Sequence, residues 1–154
     1  MKIAFAAIAL TVIAGQATAL SCVRPDAVRT FERVSEDSDS YYLLYGTLDF
    51  DATKQPKGVV NEERNPAPIV AQFAGFALNK GGFTTPYAST VTLQPVCYGP
   101  WCGSVTPDVQ SLFFAKVDGD AVIIEANPCG GQIFPDPSQA LLVTMTACMN
   151  GNCP

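Results

Sequence analysis

No histidine occurs anywhere in the 154 residues. That one absence removes Ser-His and Cys-His nucleophile pairs, histidine metal sites and the commonest general base. A carboxylate pair remains conceivable. Asp49 and Asp51, in Leu-Asp-Phe-Asp, stand two apart on a run that alternates like a strand, so both would project from one face. Close like charges there would raise one pKa. That face lies opposite the apolar one, however, and no enclosing cleft accompanies it, so solvated strand-end aspartates are favoured over a glycosidase-like acid pair. The acidic stretch Glu36, Asp37, Asp39 lacks the glycine turn and the bidentate glutamate of a calcium loop, and reads as a solvated loop. Gly81-Gly82 and Gly130-Gly131 lack the spacing and the lysine of a phosphate-cradling fingerprint. The expectation is a chain with no catalytic residues, no cofactor and no metal.

Sulfur is the remaining reactive chemistry. There are six cysteines, Cys22, Cys97, Cys102, Cys129, Cys148 and Cys153. An even count in an exported chain points to disulfides. Zinc would call for Cys-x-x-Cys pairs or histidine, and redox catalysis for a low-pKa thiolate in Cys-x-x-Cys at a helix start; the spacings here are longer. Cys97-Tyr-Gly-Pro-Trp-Cys102 and Cys148-Met-Asn-Gly-Asn-Cys153 both carry turn residues between their sulfurs. Both loops can close locally, which would leave Cys22 for Cys129, although spacing alone does not choose among the pairings. Trp101, the only tryptophan, lies inside the first loop. It either covers the end of the fold, the favoured reading, or offers a constrained aromatic tip to a partner.

These residues need a frame, and hydrophobic periodicity outlines one. Pro25 to Val34, with Val28, Phe31 and Val34 three apart and Pro25 placed for a first turn, predicts a short helix that breaks at Ser35. Tyr41 to Phe50 carries Tyr42, Leu44, Leu48 and Phe50 on alternate positions, the period of a half-buried strand. Ile69 to Leu78, Ala88 to Val96, Ser111 to Val117 and Ala121 to Ala126 predict four more strands, the last two joined at Asp118-Gly119-Asp120. Gly46 and Gly75 interrupt the first two, as glycines do where a sheet coils into a small barrel. Asp51 to Pro68 reads as a surface loop and Asn79 to Pro86 as a turn region. Asp136-Pro137-Ser138-Gln139 reads as an N-cap, first-turn proline and capping-box glutamine, opening a helix with Leu141, Leu142, Met145, Cys148 and Met149 on one stripe and Gly151 at its end.

The first residues look like a leader rather than a membrane span. Lys2, an apolar run from Ile3 to Ala14, Gly15, and small residues at Ala17 and Ala19 have the layout of a secretory signal peptide over residues 1–19. The run falls short of the ~20 residues a spanning helix needs. Residues 20–154 then form a single domain, long enough to bury roughly two-thirds of its unfolded surface. A different use of the first cysteine is lipid attachment within Ala19-Leu20-Ser21-Cys22, with leucine one place from the usual position. The net charge of −5 opposes nucleic acid. From Pro66 onward the chain is sparse in charge and rich in amides, hydroxyls, prolines and aromatics, a surface suited to a protein or envelope partner.

Five strands with kinking glycines and a C-terminal helix suit a mainly β, disulfide-stapled, OB-type barrel. With Cys22-Val-Arg-Pro25 before a helix bearing Phe31, a first strand around Tyr45-Gly46-Thr47-Leu48, Phe113-Phe114-Ala115-Lys116-Val117-Asp118-Gly119-Asp120 running into Ile124-Glu125-Ala126-Asn127-Pro128-Cys129, and a last helix ending in Cys148, the chain resembles the netrin-like modules that include tissue inhibitors of metalloproteinases. In that family the amino-terminal cysteine chelates a protease's zinc while a disulfide holds it against the loop after the third strand. The resemblance implies that Cys22 matches that cysteine and that Cys97 or Cys102 would be its partner, in place of Cys129. Arg24 stands where the family has a second cysteine, and Leu20 and Ser21 would precede Cys22 after cleavage. What carries over is a binding ridge of Cys22, Val23, Arg24, Tyr98 and Trp101. The function expected is therefore a periplasmic or extracellular, monomeric, non-catalytic module that binds a protein or envelope component. The alternatives are a metalloprotease inhibitor, an envelope-attached structural lipoprotein and a thiol-disulfide enzyme.

Overall fold

The computed structural model describes residues 20–58 and 66–154. The expected signal peptide, residues 1–19, lies outside the described residues, as does 59–65 of the expected surface loop. In chain order the elements are α1 (Ala27–Glu36), β1 (Ser40–Asp49), a 3-10 turn (Ala52–Lys54), β2 (Ile69–Asn79), β3 (Gly82–Pro95), β4 (Cys97–Tyr98), β5 (Trp101–Cys102), β6 (Ser111–Asp118), β7 (Ala121–Ala126), β8 (Ile133–Pro135) and α2 (Gln139–Met149). Strands β1, β2 and β3 run antiparallel in succession, β3 pairs in parallel with β7, β7 returns against β6, and β6 closes the ring on β1. The result is a closed five-stranded, OB-like barrel of mainly β character. The free end of β6 takes β8 as an additional edge strand through Ser111–Phe113.

Alternation along the strands fills the barrel. Leu44 and Leu48 of β1, Ile69, Ala71 and Phe73 of β2, Val91 and Leu93 of β3, Phe113 and Ala115 of β6, and Val122, Ile124 and Ala126 of β7 form the interior. Phe73 and Phe113 meet edge to face there, with ring centroids 5.9 Å apart. Tyr42, expected on the buried set, is instead 44% exposed, because it lies near the end of β1 and leans on Tyr87 at the barrel's mouth. Gly46 and Gly75 face each other in register, and no side chain fits at either: a Cβ on Gly46 would lie 2.2 Å from the Ala74 carbonyl oxygen. The barrel coils at this crossing.

A second apolar layer covers the outside of β1 and β6. Leu43, Leu112 and Phe114 point outward and are buried under Ala27 and Val34 of α1 and Met145 and Cys148 of α2. These two strands are apolar on both faces, which explains the near-continuous run Leu112-Phe113-Phe114-Ala115.

Both helices begin later than the sequence pattern predicts. Asp26, not Pro25, sets the start of α1, its carboxylate accepting from the Val28 and Arg29 amides at 2.9 and 3.0 Å, and the helix runs past Ser35 to Glu36. The cap of α2 is Ser138, which accepts from the Leu141 amide. Asp136 fails as a cap because its own N–H donates to the Gln110 carbonyl, holding the chain on the sheet edge with φ +46°. The other end follows expectation. The Gly151 and Asn152 amides donate back to the Cys148 and Ala147 carbonyls in a Schellman turn, with Gly151 at φ +79°.

The third strand also departs from the reading of Asn79 to Pro86 as a turn, since β3 already starts at Gly82. The turn is short: the Asn79 side chain accepts from the Gly81 amide at 2.6 Å. Pro86 is tolerated because this half of β3 has β2 on one side only, its other edge being paired just from Thr92 to Pro95.

Candidate functional site

Three disulfides join Cys22 to Cys129, Cys97 to Cys102 and Cys148 to Cys153, and no free cysteine remains. The pairing of Cys22 with Cys97 or Cys102, implied by the family resemblance, is not formed. Those two cysteines face each other across the β4–β5 hairpin, where Tyr98 also pairs with Trp101. With Gly99 at φ +57° followed by Pro100, the hairpin closes in a type II′ turn, which demands glycine at its first central position. The ring pair is left 45% and 37% exposed.

The amino-terminal part of the ridge is anchored elsewhere. Cys22 is cross-linked to the segment that leaves β7, so Val23, 77% exposed, and exposed Arg24 are held on the barrel rather than trailing from it. Asn127 connects the two parts. Its side chain donates to the Tyr98 hydroxyl at 2.8 Å and accepts from the Cys129 amide at 2.9 Å, while its carbonyl accepts from the Gly130 amide. The five ridge residues are thereby tied to one short stretch of chain, 127–129. The sequence reading assigned no role to Asn127; its only local signal is the turn-forming dipeptide Asn127-Pro128. Asn127 also lines a cavity of about 140 Å³, together with Val105, Glu125, Gln132 and Ile133, among others. The Gln132 Oε1 atom is buried without a partner.

No protein-family model, curated protein or solved structure matches this chain. Among the described residues no group of three or more histidine, cysteine or carboxylate side chains is placed to hold a metal ion. The acidic stretch serves the fold: Asp37 accepts from the Asp39 amide and the Tyr41 hydroxyl, both at 3.2 Å, and Asp39 pairs with Lys116.

Asp49 and Asp51 do not share a strand face, because β1 ends at Asp49 and the chain turns. Asp51 instead caps the 3-10 turn. Its Oδ1 accepts from the Thr53 hydroxyl at 2.6 Å and the Thr53 amide at 3.0 Å, and these bonds, the hydroxyl first, hold its carboxyl below the ordinary carboxylate range. That is the opposite of the raised value a like-charge pair would create. A carboxyl whose folded pKa lies below its unfolded one contributes stability above the unfolded value, about 3.9, and loses it as pH falls through the folded value. Asp51→Asn is therefore expected to flatten part of the acid limb of a urea-midpoint profile taken between about pH 5 and pH 2. A wild-type profile and a variant profile that run parallel would show that the bond adds nothing.

Proposed function

We propose that this chain is an exported, non-catalytic protein-binding module of netrin-like type, with Cys22, Val23, Arg24, Tyr98 and Trp101 as its contact ridge. The observation that carries this reading is the tethering of two exposed segments, distant in sequence, to residues 127–129 by a disulfide and an amide–phenol hydrogen bond. A surface ordered before binding loses little conformational freedom on association, and aromatic anchors dominate such contacts. The three disulfides support an oxidising, exported setting, and a periplasmic or extracellular location is part of the proposal. Among the described residues no helix is long and apolar enough to cross a membrane. The netrin-like likeness rests on a cysteine before a short helix, a closed five-stranded barrel and a C-terminal helix. Non-catalytic character rests on the absence of histidine, the bridging of all six cysteines and the solvated carboxylates. A net charge of −5 argues against nucleic acid as the partner.

The test is site-specific photo-crosslinking in the producing cell. A benzophenone side chain at Trp101 is expected to give a discrete adduct, whereas the same group at exposed Thr90, on β3 away from the ridge, gives none. Trp101→Ser should cost about 1 kcal/mol of stability or less, as a surface cross-strand pair does. Identical adduct patterns at the two positions, or none at Trp101, would refute the ridge.

A further inference from the structure

The sequence holds four arginines, and three of them, Arg24, Arg29 and Arg33, line one open groove of about 460 Å³ beside the Cys22–Cys129 bridge. Arg29 and Arg33 are four apart on α1 and so share a face, while Arg24 approaches from the segment the bridge immobilises. Three like charges gathered on one concavity of an acidic chain repel one another, and Asp26 is the one carboxylate among the residues lining it. None of the three has an ion-pair partner among the described residues, whereas Lys116 is matched with Asp39. Asp26, the carboxylate that also lines the groove, is engaged in capping α1.

Resting on the proposed binding role, we infer that this groove receives a short, carboxylate-rich segment of the protein partner. Guanidinium groups stay charged at every physiological pH and present a planar fork that matches a carboxylate bidentately. Val23, exposed at the rim, adds a contact for an apolar side chain within such a segment. The surroundings favour a short segment over a long polyanion. Glu32, Glu36, Asp37 and Asp39 lie on and just beyond α1, and a chain of phosphates or sulfates running out of the groove would meet them.

The probe is the peptide acetyl-Glu-Glu-Leu-Glu-Glu-amide, titrated into the 15N-labelled mature protein and followed by amide and arginine Nε–H shifts. Shifts are expected at Val23 to Arg33 and Cys129 to Gly131, with affinity falling about tenfold between roughly 20 and 200 mM salt and again about tenfold in the Arg29→Gln/Arg33→Gln double variant. The titration reads the arginine groove and the crosslink reads the Tyr98–Trp101 hairpin, so a failed crosslink at Trp101 and a failed titration are separate results. The inference falls if the uncharged peptide acetyl-Gln-Gln-Leu-Gln-Gln-amide gives the same shifts, if the double variant binds as well as wild type, or if no shifts occur. It falls equally if a heparin fragment or an oligonucleotide binds more tightly than the peptide, since the groove would then serve a polyanion.

Discussion

Gly46→Ala is expected to unfold the protein or to lower its stability by more than about 3 kcal/mol, beyond the usual cost of overpacking a core. The added methyl would stand 2.2 Å from the Ala74 carbonyl oxygen and 2.8 Å from both the Gly75 Cα and the Phe73 Cζ. Only the last of these belongs to a side chain that can turn away. Gly75→Ala meets the mirror-image obstacle, with its methyl 2.2 Å from the Tyr45 carbonyl oxygen and 2.6 Å from the Gly46 Cα. Because β1 and β2 are in register at this pair, relief would require the two strands to separate, breaking the ladder that runs from Leu44 to Asp49 against Ala77 to Gln72. Adding Phe73→Leu to either variant removes the ring contact but leaves both backbone contacts, so it is not expected to restore the fold. Urea denaturation followed by circular dichroism decides the matter. A Gly46→Ala midpoint within about 1 kcal/mol of wild type would show that the strands do not cross this closely.

The same crossing shows how far the fold was legible in the sequence. Gly46 and Gly75 each interrupt an alternating apolar run, and that combination already points to a coiled barrel; the five strand positions follow from period-two patterning and the hairpin from Asp118-Gly119-Asp120. Three features were hidden for physical reasons. Pro86 and the threonines before it read as a turn, because a sequence does not reveal that the strand edge beside them is unpaired. Asp136 has the chemistry of a cap, but a tertiary hydrogen bond to Gln110 holds it on the sheet and passes the role to Ser138. Leu43, Leu112 and Phe114 lie off the interior face, and their burial depends on two helices distant in the chain. The candidate site divides in the same way. Trp101 and Tyr98 stand out by type and by their place between two cysteines. Asn127 and the gathering of Arg24 with Arg29 and Arg33 become visible only once Cys22 is joined to Cys129.

That long bridge carries the other large expectation. In the chain-entropy account, cross-linking residues 107 apart restricts the unfolded chain by about 4.7 kcal/mol, whereas a bridge five residues apart contributes about 2 kcal/mol. The Cys22→Ser/Cys129→Ser double variant is therefore expected to lose roughly twice as much stability as Cys97→Ser/Cys102→Ser, a large fraction of what a domain this size possesses. The functional losses should differ as well. Without the long bridge the segment 20–25 loses its covalent hold on 127–129, so the acidic-peptide titration should fail under conditions where the protein remains folded, while the Tyr98–Trp101 hairpin keeps its crosslink. Without the short bridge the hairpin loosens and the crosslink at Trp101 should weaken, while the arginine groove keeps its affinity. Equal destabilisation by the two double variants would mean that the unfolded chain already holds Cys22 near Cys129. A titration that survives loss of the long bridge would mean that α1 alone orders the groove.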